Sequence, residues 1–227
     1  MGGRLISALL LRGYHVRAMV RSSKEVYVSK WENVEVVESD ALKVETLNEA
    51  LRGIHTIYYL IHSMLLGPDE FMAADIIAAY HFRTVAEEMG VQRIIYLGGL
   101  GDITKDLSHH LRSRMEVSKA LQAGKYKTTV LRASIIIGSG SASYEIIKDL
   151  ACELPILFMP RWRKTLCQPI AVRDVIKYLI GVLEKPEMTT GTENTFDIGG
   201  PEIFTYEEMI YTMAKLLKKK VYIFPVP

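Results

Sequence analysis

Apolar runs and amphipathic stretches alternate along this chain, and no other sequence feature restricts the fold as strongly. Thr56–Ile61 (TIYYLI) is short and almost continuously apolar, which is typical of a strand buried on both faces. Arg93–Leu97 (RIIYL) is predicted to be another buried strand, and Thr128–Ile137 (TTVLRASIII) is the segment richest in residues that favour strands. Two stretches between these runs repeat their apolar residues with the period of a helix, namely Phe71–Met89 and Leu111–Ala123. Repeated strand–helix–strand units predict parallel strands with right-handed crossovers, and hence an α/β fold with a doubly wound, Rossmann-like parallel sheet.

Glycines mark the predicted ends of the helices. Arg4–Arg12 has an apolar helical face, and Gly13 is expected to follow its last turn. Gly53 and Gly90 are expected to end two further helices. The other predicted elements are strands at His15–Val20, Val34–Glu38, Ile156–Met159, Phe196–Ile198 and Val221–Phe224, and helices at Leu42–Leu51, Tyr144–Ala151, Asp174–Leu183 and Thr205–Leu217.

Composition narrows the class of protein. The 227 residues are 49% hydrophobic and 24% charged, which is ordinary for a globular chain and excludes a mainly disordered or collagen-like one. A net charge of +2 does not favour a nucleic-acid partner, and Lys218–Lys220 is interpreted as the solvated last turn of a helix. The sequence has no apolar run of the ~18 residues that span a bilayer and no signal-peptide pattern. Cys152 and Cys167 lack metal-ligand spacing, so we expect a reducing, cytoplasmic compartment and no metal.

The chain becomes less regular after about residue 140, where prolines are more frequent. We therefore expect a core at residues 1–140 and a C-terminal extension at residues 141–227 that adds substrate-side loops. Ligands of doubly wound sheets bind at the carboxyl ends of the strands, so the loops after strands are expected to carry the function. The expected partner is a small molecule, and the sequence leaves a homodimer open.

Six segments, in chain order, point to one family. They read GGRLISALLLRGYHVRAMVRS, VEVVESDALKVETLNEALRGIHTIYYLIHSM, RIIYLGGLGD, LRASIIIGSGSASYE, QPIAVRDV and FDIGGPEIFTYEEM. Together they resemble the atypical, extended short-chain dehydrogenase/reductases, and among these the NAD(P)-binding proteins similar to nucleoside-diphosphate-sugar epimerases, whose relatives include NmrA-like redox sensors. The resemblance covers nearly the whole chain and implies that residues 1–140 form an NAD(P)-binding core.

The beginning of the chain departs from that family. The resemblance implies that Gly2 is the last glycine of a TGxxGxxG turn and that Gly2 and Gly3 approach the pyrophosphate, although on the residues alone they could equally be a flexible terminus. The family's first strand, which is central in the sheet, has no counterpart here. We expect about 10–15 further residues before Met1, the length of one strand and its turn, or another segment or subunit in that slot.

The same resemblance implies residues that hold the cofactor. Arg21 and Ser22 would accept the 2′-phosphate of NADP, which favours NADP over NAD; the alternative is an ordinary exposed loop arginine. Asp40 would accept a hydrogen bond from the adenine amino group; the alternative is an N-cap. The other implied contacts are Arg4 on the same phosphate as Arg21, Ala41 beside the adenine, Leu60, Ile61 and His62 along the ribose and pyrophosphate, Gly98 in the pair Gly98–Gly99 where the family's serine falls, and Arg132 and Ser134 near the nicotinamide.

The catalytic set of the family is replaced in this chain. Alignment on Glu116 places His110 at the position of the family's tyrosine and Arg114 at that of its lysine. A spacing of four puts both on one helical face, where His110 could act as acid or base and Arg114 could contact cofactor or substrate, while lowering the proton affinity of His110. The alternative is a polar helix start that faces solvent.

Three functions are compatible with these residues. The first is an NADP(H)-dependent oxidoreductase or epimerase-like enzyme that acts on a carbonyl, a quinone or a nucleotide-sugar-like substrate. The second is a catalytically silent NADP(H)-binding sensor or assembly subunit, which the loss of serine, tyrosine and lysine favours. The third is a sugar-nucleotide-binding module without a dinucleotide.

Overall fold

A computed structural model describes residues 1–62, 68–101, 108–189 and 194–226, and within them the predicted alternation is present. The helices are α1 (Gly2–Leu10), α2 (Lys24–Lys30), α3 (Val44–Leu51), α4 (Pro68–Glu88), α5 (His109–Gln122), α6 (Ala142–Cys152), α7 (Val172–Glu184) and α8 (Tyr206–Leu216). The strands are β1 (Val16–Val20), β2 (Val34–Glu38), β3 (Thr56–Tyr59), β4 (Arg93–Gly99), β5 (Lys127–Ala133), β6 (Ile136–Ile137), β7 (Ile156–Met159), β8 (Leu166–Cys167), β9 (Ile170–Ala171), β10 (Thr195–Ile198), β11 (Phe204–Thr205) and β12 (Tyr222–Pro225). Of the helices in these ranges, none combines the length and the hydropathy that crossing a membrane requires.

The strand pairings confirm the predicted doubly wound α/β fold. β1 pairs with β2 in parallel, and β3 pairs with β4 in parallel. β3 and β4 belong to a four-stranded sheet in the order β10-β5-β4-β3. The carboxyl ends of β1 and β2 therefore lie together, as do those of β3 and β4, which is where ligands of such sheets bind.

A cavity of about 870 Å³ is lined by residues of both strand pairs. Within the described residues, β1 and β2 form a sheet of their own, separate from the sheet that contains β3. Side chains of β1 and β3 face the cavity, and Leu5, Ile6 and Leu9 of α1 close it from one side.

The chain divides into two compact units, each with its own apolar core. The first comprises Met1–Arg132 and Tyr178–Phe196, and the second comprises Ala133–Lys177 and Asp197–Pro227. Side chains from α3, α4, α5 and the strands β3 to β5 form the core of the first unit. Side chains from α6, α8 and β7 contribute to the core of the second.

Local sequence signals account for most of the element boundaries. Gly13, Gly53 and Gly90 have positive φ angles of 77°, 71° and 71°, as expected of glycines that end helices. The structure corrects the predicted strand Thr128–Ile137, which is interrupted: β5 ends at Ala133, and β6 pairs with β9 in the second unit. The sequence did not predict α2, in which no residue is buried.

Candidate functional site

The N-terminus of α1 is open at its first turn. The backbone N–H groups of Arg4 and Leu5 donate to the Met1 carbonyl oxygen at 3.1 and 3.2 Å, and no side chain caps the helix. A Cβ atom on Gly2 would contact nothing within 4 Å, and one on Gly3 would meet only the Trp31 ring at 3.8 Å. An anion can therefore approach the first N–H groups of this nine-residue helix closely. Gly2 also lines the large cavity, together with Leu60 and Ile61 from the end of β3.

Arg21 and Ser22 are exposed directly after β1. Among the described residues, Arg21 forms neither an ion pair nor a hydrogen bond. Arg17 on the same strand is engaged instead, with Glu35 at 2.8 Å and with the Arg52 carbonyl oxygen at 2.7 Å. Of these two arginines, Arg21 is therefore the one whose guanidinium is available to a ligand. Arg4 is likewise exposed, on the first turn of α1.

Asp40 is held in a turn after β2. Its Oδ1 accepts a hydrogen bond from the Leu42 backbone N–H at 3.1 Å, and its own N–H donates to Thr46 Oγ1 at 3.1 Å. The N-cap of α3 is Lys43, so the alternative that Asp40 caps this helix is wrong. Ala41 is buried, and its carbonyl oxygen lies 3.0 Å from His81 Nδ1.

Arg114 is buried on α5, with 9% of its surface exposed. Its Nη1 donates to the Ile61 carbonyl oxygen at 3.2 Å and to the Tyr96 hydroxyl at 3.4 Å. A solvent-facing arginine, the alternative considered from the sequence, is therefore excluded at this position. The side chain ties α5 to the end of β3 and to β4.

His110 is half-buried one turn before Arg114. Burial of the ring lowers the pKa of His110 below the ordinary value for histidine, and the positive charge of Arg114 and the neighbouring His62 lower it further, whereas Asp75 opposes this. The sequence likewise predicts that Arg114 lowers the proton affinity of His110, and the structure agrees with that direction. At neutral pH the ring is therefore mainly uncharged, which is the form that accepts a proton.

Two side chains that the sequence reasoning did not single out complete this cluster. Asp75 on α4 is 2% exposed and accepts a hydrogen bond from Ser113 Oγ at 3.2 Å. The same oxygen, Oδ2, lies 3.5 Å from His62 Nδ1. Asp75 follows Phe71 by four residues and precedes Ala78 and Ala79, so the helical period already put this carboxylate on the buried face.

Glycine is needed where α5 approaches β4. A Cβ atom on Gly99 would lie 3.1 Å from Leu111 and 3.6 Å from Cγ of Arg114, and one on Gly98 would lie 3.0 Å from the Tyr96 ring. The position of the family's serine is thus occupied by residues whose lack of a side chain permits close packing.

The last two predicted residues lie at the end of β5: Arg132 is within the strand and Ser134 follows it. Arg132 lines a second cavity of about 160 Å³ together with Tyr96 and Arg114. Ser134 is half-buried and belongs to the second unit. The structure thus brings Ile61, His62, His110 and Arg114 together, and it shows no contact of Arg21, Ser22 or Asp40 with them among the described residues.

Comparisons with known proteins show to which family this chain is similar. The sequence profile of the NAD(P)H-binding family matches residues 1–141. Cinnamoyl-CoA reductase 1 of Oryza sativa subsp. japonica is 21% identical over 221 residues, which are 91% of this chain and 64% of that reductase. NADH dehydrogenase (ubiquinone) 1 alpha subcomplex subunit 9, mitochondrial, of Arabidopsis thaliana is 23% identical over 133 residues, 59% of this chain and 33% of that subunit. The chain spans less than two thirds of the length of either relative.

A solved structure shows the same fold over the whole chain. The UDP-glucose 4-epimerase of Thermus thermophilus, in complex with NAD, matches 100% of this chain and 83% of its own with a TM-score of 0.77 at 16% identity. The family profile and this structure together confirm the predicted NAD(P)-binding, Rossmann-like α/β fold.

Proposed function

Because this chain belongs to the NAD(P)H-binding family, we propose that it binds NADP(H) and acts as an oxidoreductase-like protein. The observation that carries the cofactor preference is the exposed Arg21 at the end of β1, which has no other partner among the described residues. Ser22 follows it, and the sequence offers no carboxylate until Glu25. A permanent cation with a hydroxyl neighbour attracts a 2′-phosphate, whereas an acidic residue would repel it.

The residues present fit the rest of a dinucleotide. The open first turn of α1 offers N–H groups to the pyrophosphate, and nothing within 4 Å of Gly2 obstructs the approach. Asp40 retains a second carboxylate oxygen for which no hydrogen bond is described, and this oxygen accepts the adenine amino group. Leu60, Ile61 and His62 follow β3, where the ribose and pyrophosphate pass in this proposal.

The proton chemistry of the site is assigned to His110. A bound nicotinamide dinucleotide supplies hydride transfer. Uncharged at neutral pH, His110 accepts a proton from a substrate hydroxyl in oxidation and returns it to the carbonyl oxygen in reduction. Arg114 holds the Ile61 carbonyl oxygen and so fixes the end of β3. The reductase among the relatives supports a carbonyl substrate over a quinone or a nucleotide sugar.

The second candidate is an NADP(H)-binding protein that does not turn over its cofactor. Gly98, His110 and Arg114 stand where the family has serine, tyrosine and lysine. A subunit of a larger enzyme is among the relatives, which also favours this candidate. Measuring the absorbance of reduced nicotinamide with carbonyl substrates separates the two: consumption supports the enzyme, and binding without consumption supports the silent protein.

The test of the cofactor preference is isothermal titration of NADPH and NADH. It uses this chain and a variant extended at its N-terminus by an apolar strand and a Gly-rich turn. Arg21→Gln should weaken NADPH binding about 10-fold or more, because a charged hydrogen bond contributes roughly 1.5–3 kcal/mol, and should leave NADH nearly unchanged. Lys30→Gln, an exposed cation on α2, is the matched control. Equal affinity of wild type for both nucleotides contradicts the proposal.

A further inference from the structure

The buried carboxylate of Asp75 has no role in the function proposed so far. It lies on the core face of α4, among apolar residues such as Ala74, Ala78 and Phe82. A carboxylate is costly at such a position unless polar groups surround it. Ser113 supplies a hydroxyl from α5 at 3.2 Å, and His62 supplies a ring nitrogen from the end of β3 at 3.5 Å.

His62 connects this carboxylate to His110. Both ring nitrogens of His62 are shielded from solvent, and neither makes a well-aligned hydrogen bond within the described ranges, but Nδ1 lies 3.5 Å from Oδ2 of Asp75. On its other side the His62 ring meets the His110 ring, with centroids 5.0 Å apart and planes tilted by 41°. The ring of Phe71, 6.5 Å from that of His110, adds an apolar wall.

We propose that Asp75 is a positioning residue: through His62 it holds the two imidazole rings in contact, and it places a negative charge behind them so that His110 can exchange a proton at neutral pH. Only the use of this proton in catalysis rests on the proposed function. The positions of Asp75, His62 and His110 do not depend on that function, because all three contacts are made within the protein.

The charges that act on His110 oppose each other. In the described part of the chain they come from Arg114 on α5, His62 after β3 and Asp75 on α4. Burial, Arg114 and His62 lower the pKa of His110, and Asp75 raises it. An acid–base group is most effective when its pKa lies near the working pH, so the carboxylate counteracts the loss of proton affinity that burial causes.

The inference predicts opposite effects of two substitutions. Asp75→Asn removes the negative charge and should move the titration midpoint of His110 to lower pH. His62→Asn removes a group that lowers the pKa of His110 and should move the midpoint to higher pH. A purely structural role of either side chain does not produce shifts of opposite sign.

The experiment is an NMR titration of the histidine rings in the cofactor-free chain. His110→Gln identifies the resonance of His110 among the six histidines. Asp149→Asn, an exposed carboxylate on α6, controls for loss of one negative charge, and Asp75→Glu should restore the wild-type midpoint. An unchanged His110 midpoint in folded Asp75→Asn, or shifts of the same sign in the two variants, overturns the inference.

Two further measurements keep the outcome decisive. If Asp75→Asn does not fold, His62→Asn tests the inference alone, and a midpoint that stays or falls overturns it. NADPH titration of the wild-type chain tests the proposed function separately. Absence of NADPH binding in wild type would contradict the proposed function while leaving the His110 titration interpretable.

Discussion

The guanidinium of Arg114 donates from Nη1 to the carbonyl oxygen of Ile61 at 3.2 Å, which joins the second turn of α5 to the end of β3 across 53 residues of sequence. The Tyr96 hydroxyl lies 3.4 Å from the same nitrogen and is bonded to the Arg114 carbonyl oxygen. One buried side chain thus links three elements, β3, β4 and α5, at the place where the proposed site lies.

Replacing Arg114 by methionine should lower the free energy of unfolding by about 1–3 kcal/mol, because the part-buried carbonyl oxygen of Ile61 loses its donor. Arg114→Lys keeps the charge but not the planar guanidinium, so its free energy of unfolding should lie between those of the methionine variant and the wild type. Urea unfolding of the three proteins provides the comparison. A methionine variant as stable as wild type would show that the bond to Ile61 contributes nothing.

Asp40→Ala should weaken the binding of NADPH and of NADH to the same extent, about 10-fold, because the adenine ring is common to both nucleotides. This distinguishes Asp40 from Arg21, whose loss should affect only NADPH. Isothermal titration measures both, with Glu38→Ala as the control, since Glu38 is an exposed carboxylate at the end of the same strand. A loss confined to NADPH would place Asp40 near the phosphate instead of the adenine.

Stability should fall on acidification in part because of His110. Burial, Arg114 and His62 lower the pKa of His110 in the folded state, so the unfolded chain takes up its proton first. The free energy of unfolding should therefore decrease as the pH falls below about 6.5, the ordinary histidine value, until the folded-state pKa is passed. Urea unfolding across this range should show a shallower decrease for His110→Gln. An identical pH dependence in both proteins would contradict the lowered pKa.

Two glycines should respond oppositely to alanine. A Cβ atom on Gly200 would lie 2.3 Å from the Pro169 carbonyl oxygen, which itself accepts the Gly200 N–H, so Gly200→Ala should cost about 1–3 kcal/mol of stability. Gly181 lies within α7 with open space around it, so Gly181→Ala should add about 0.5–1 kcal/mol. Thermal unfolding of the two variants measures both, and shifts of the same sign would contradict the packing described.

The interruption after β5 and the helix α2 show where sequence patterns lose information. Thr128–Ile137 is rich in β-branched residues at both ends, so nothing in the pattern reveals that Ile136 leaves the sheet of β5 to pair with Ile170. Lys24–Lys30 buries no residue, so it carries no apolar period for a helix prediction to detect. By contrast, the predicted limits of Val34–Glu38 and Ile156–Met159 agree with β2 and β7 to the residue.

The sequence by itself determined the alternation of strands and helices and the glycines that end them, because these depend on hydrophobic period and on backbone freedom within a few residues. It also placed His110 and Arg114 on one helical face. Only the tertiary structure decided that Arg114 is buried against Ile61 and that Asp75, His62 and His110 adjoin one another. Those contacts join residues 13 to 53 positions apart, so they depend on how α4, α5 and the end of β3 pack, which no local pattern specifies.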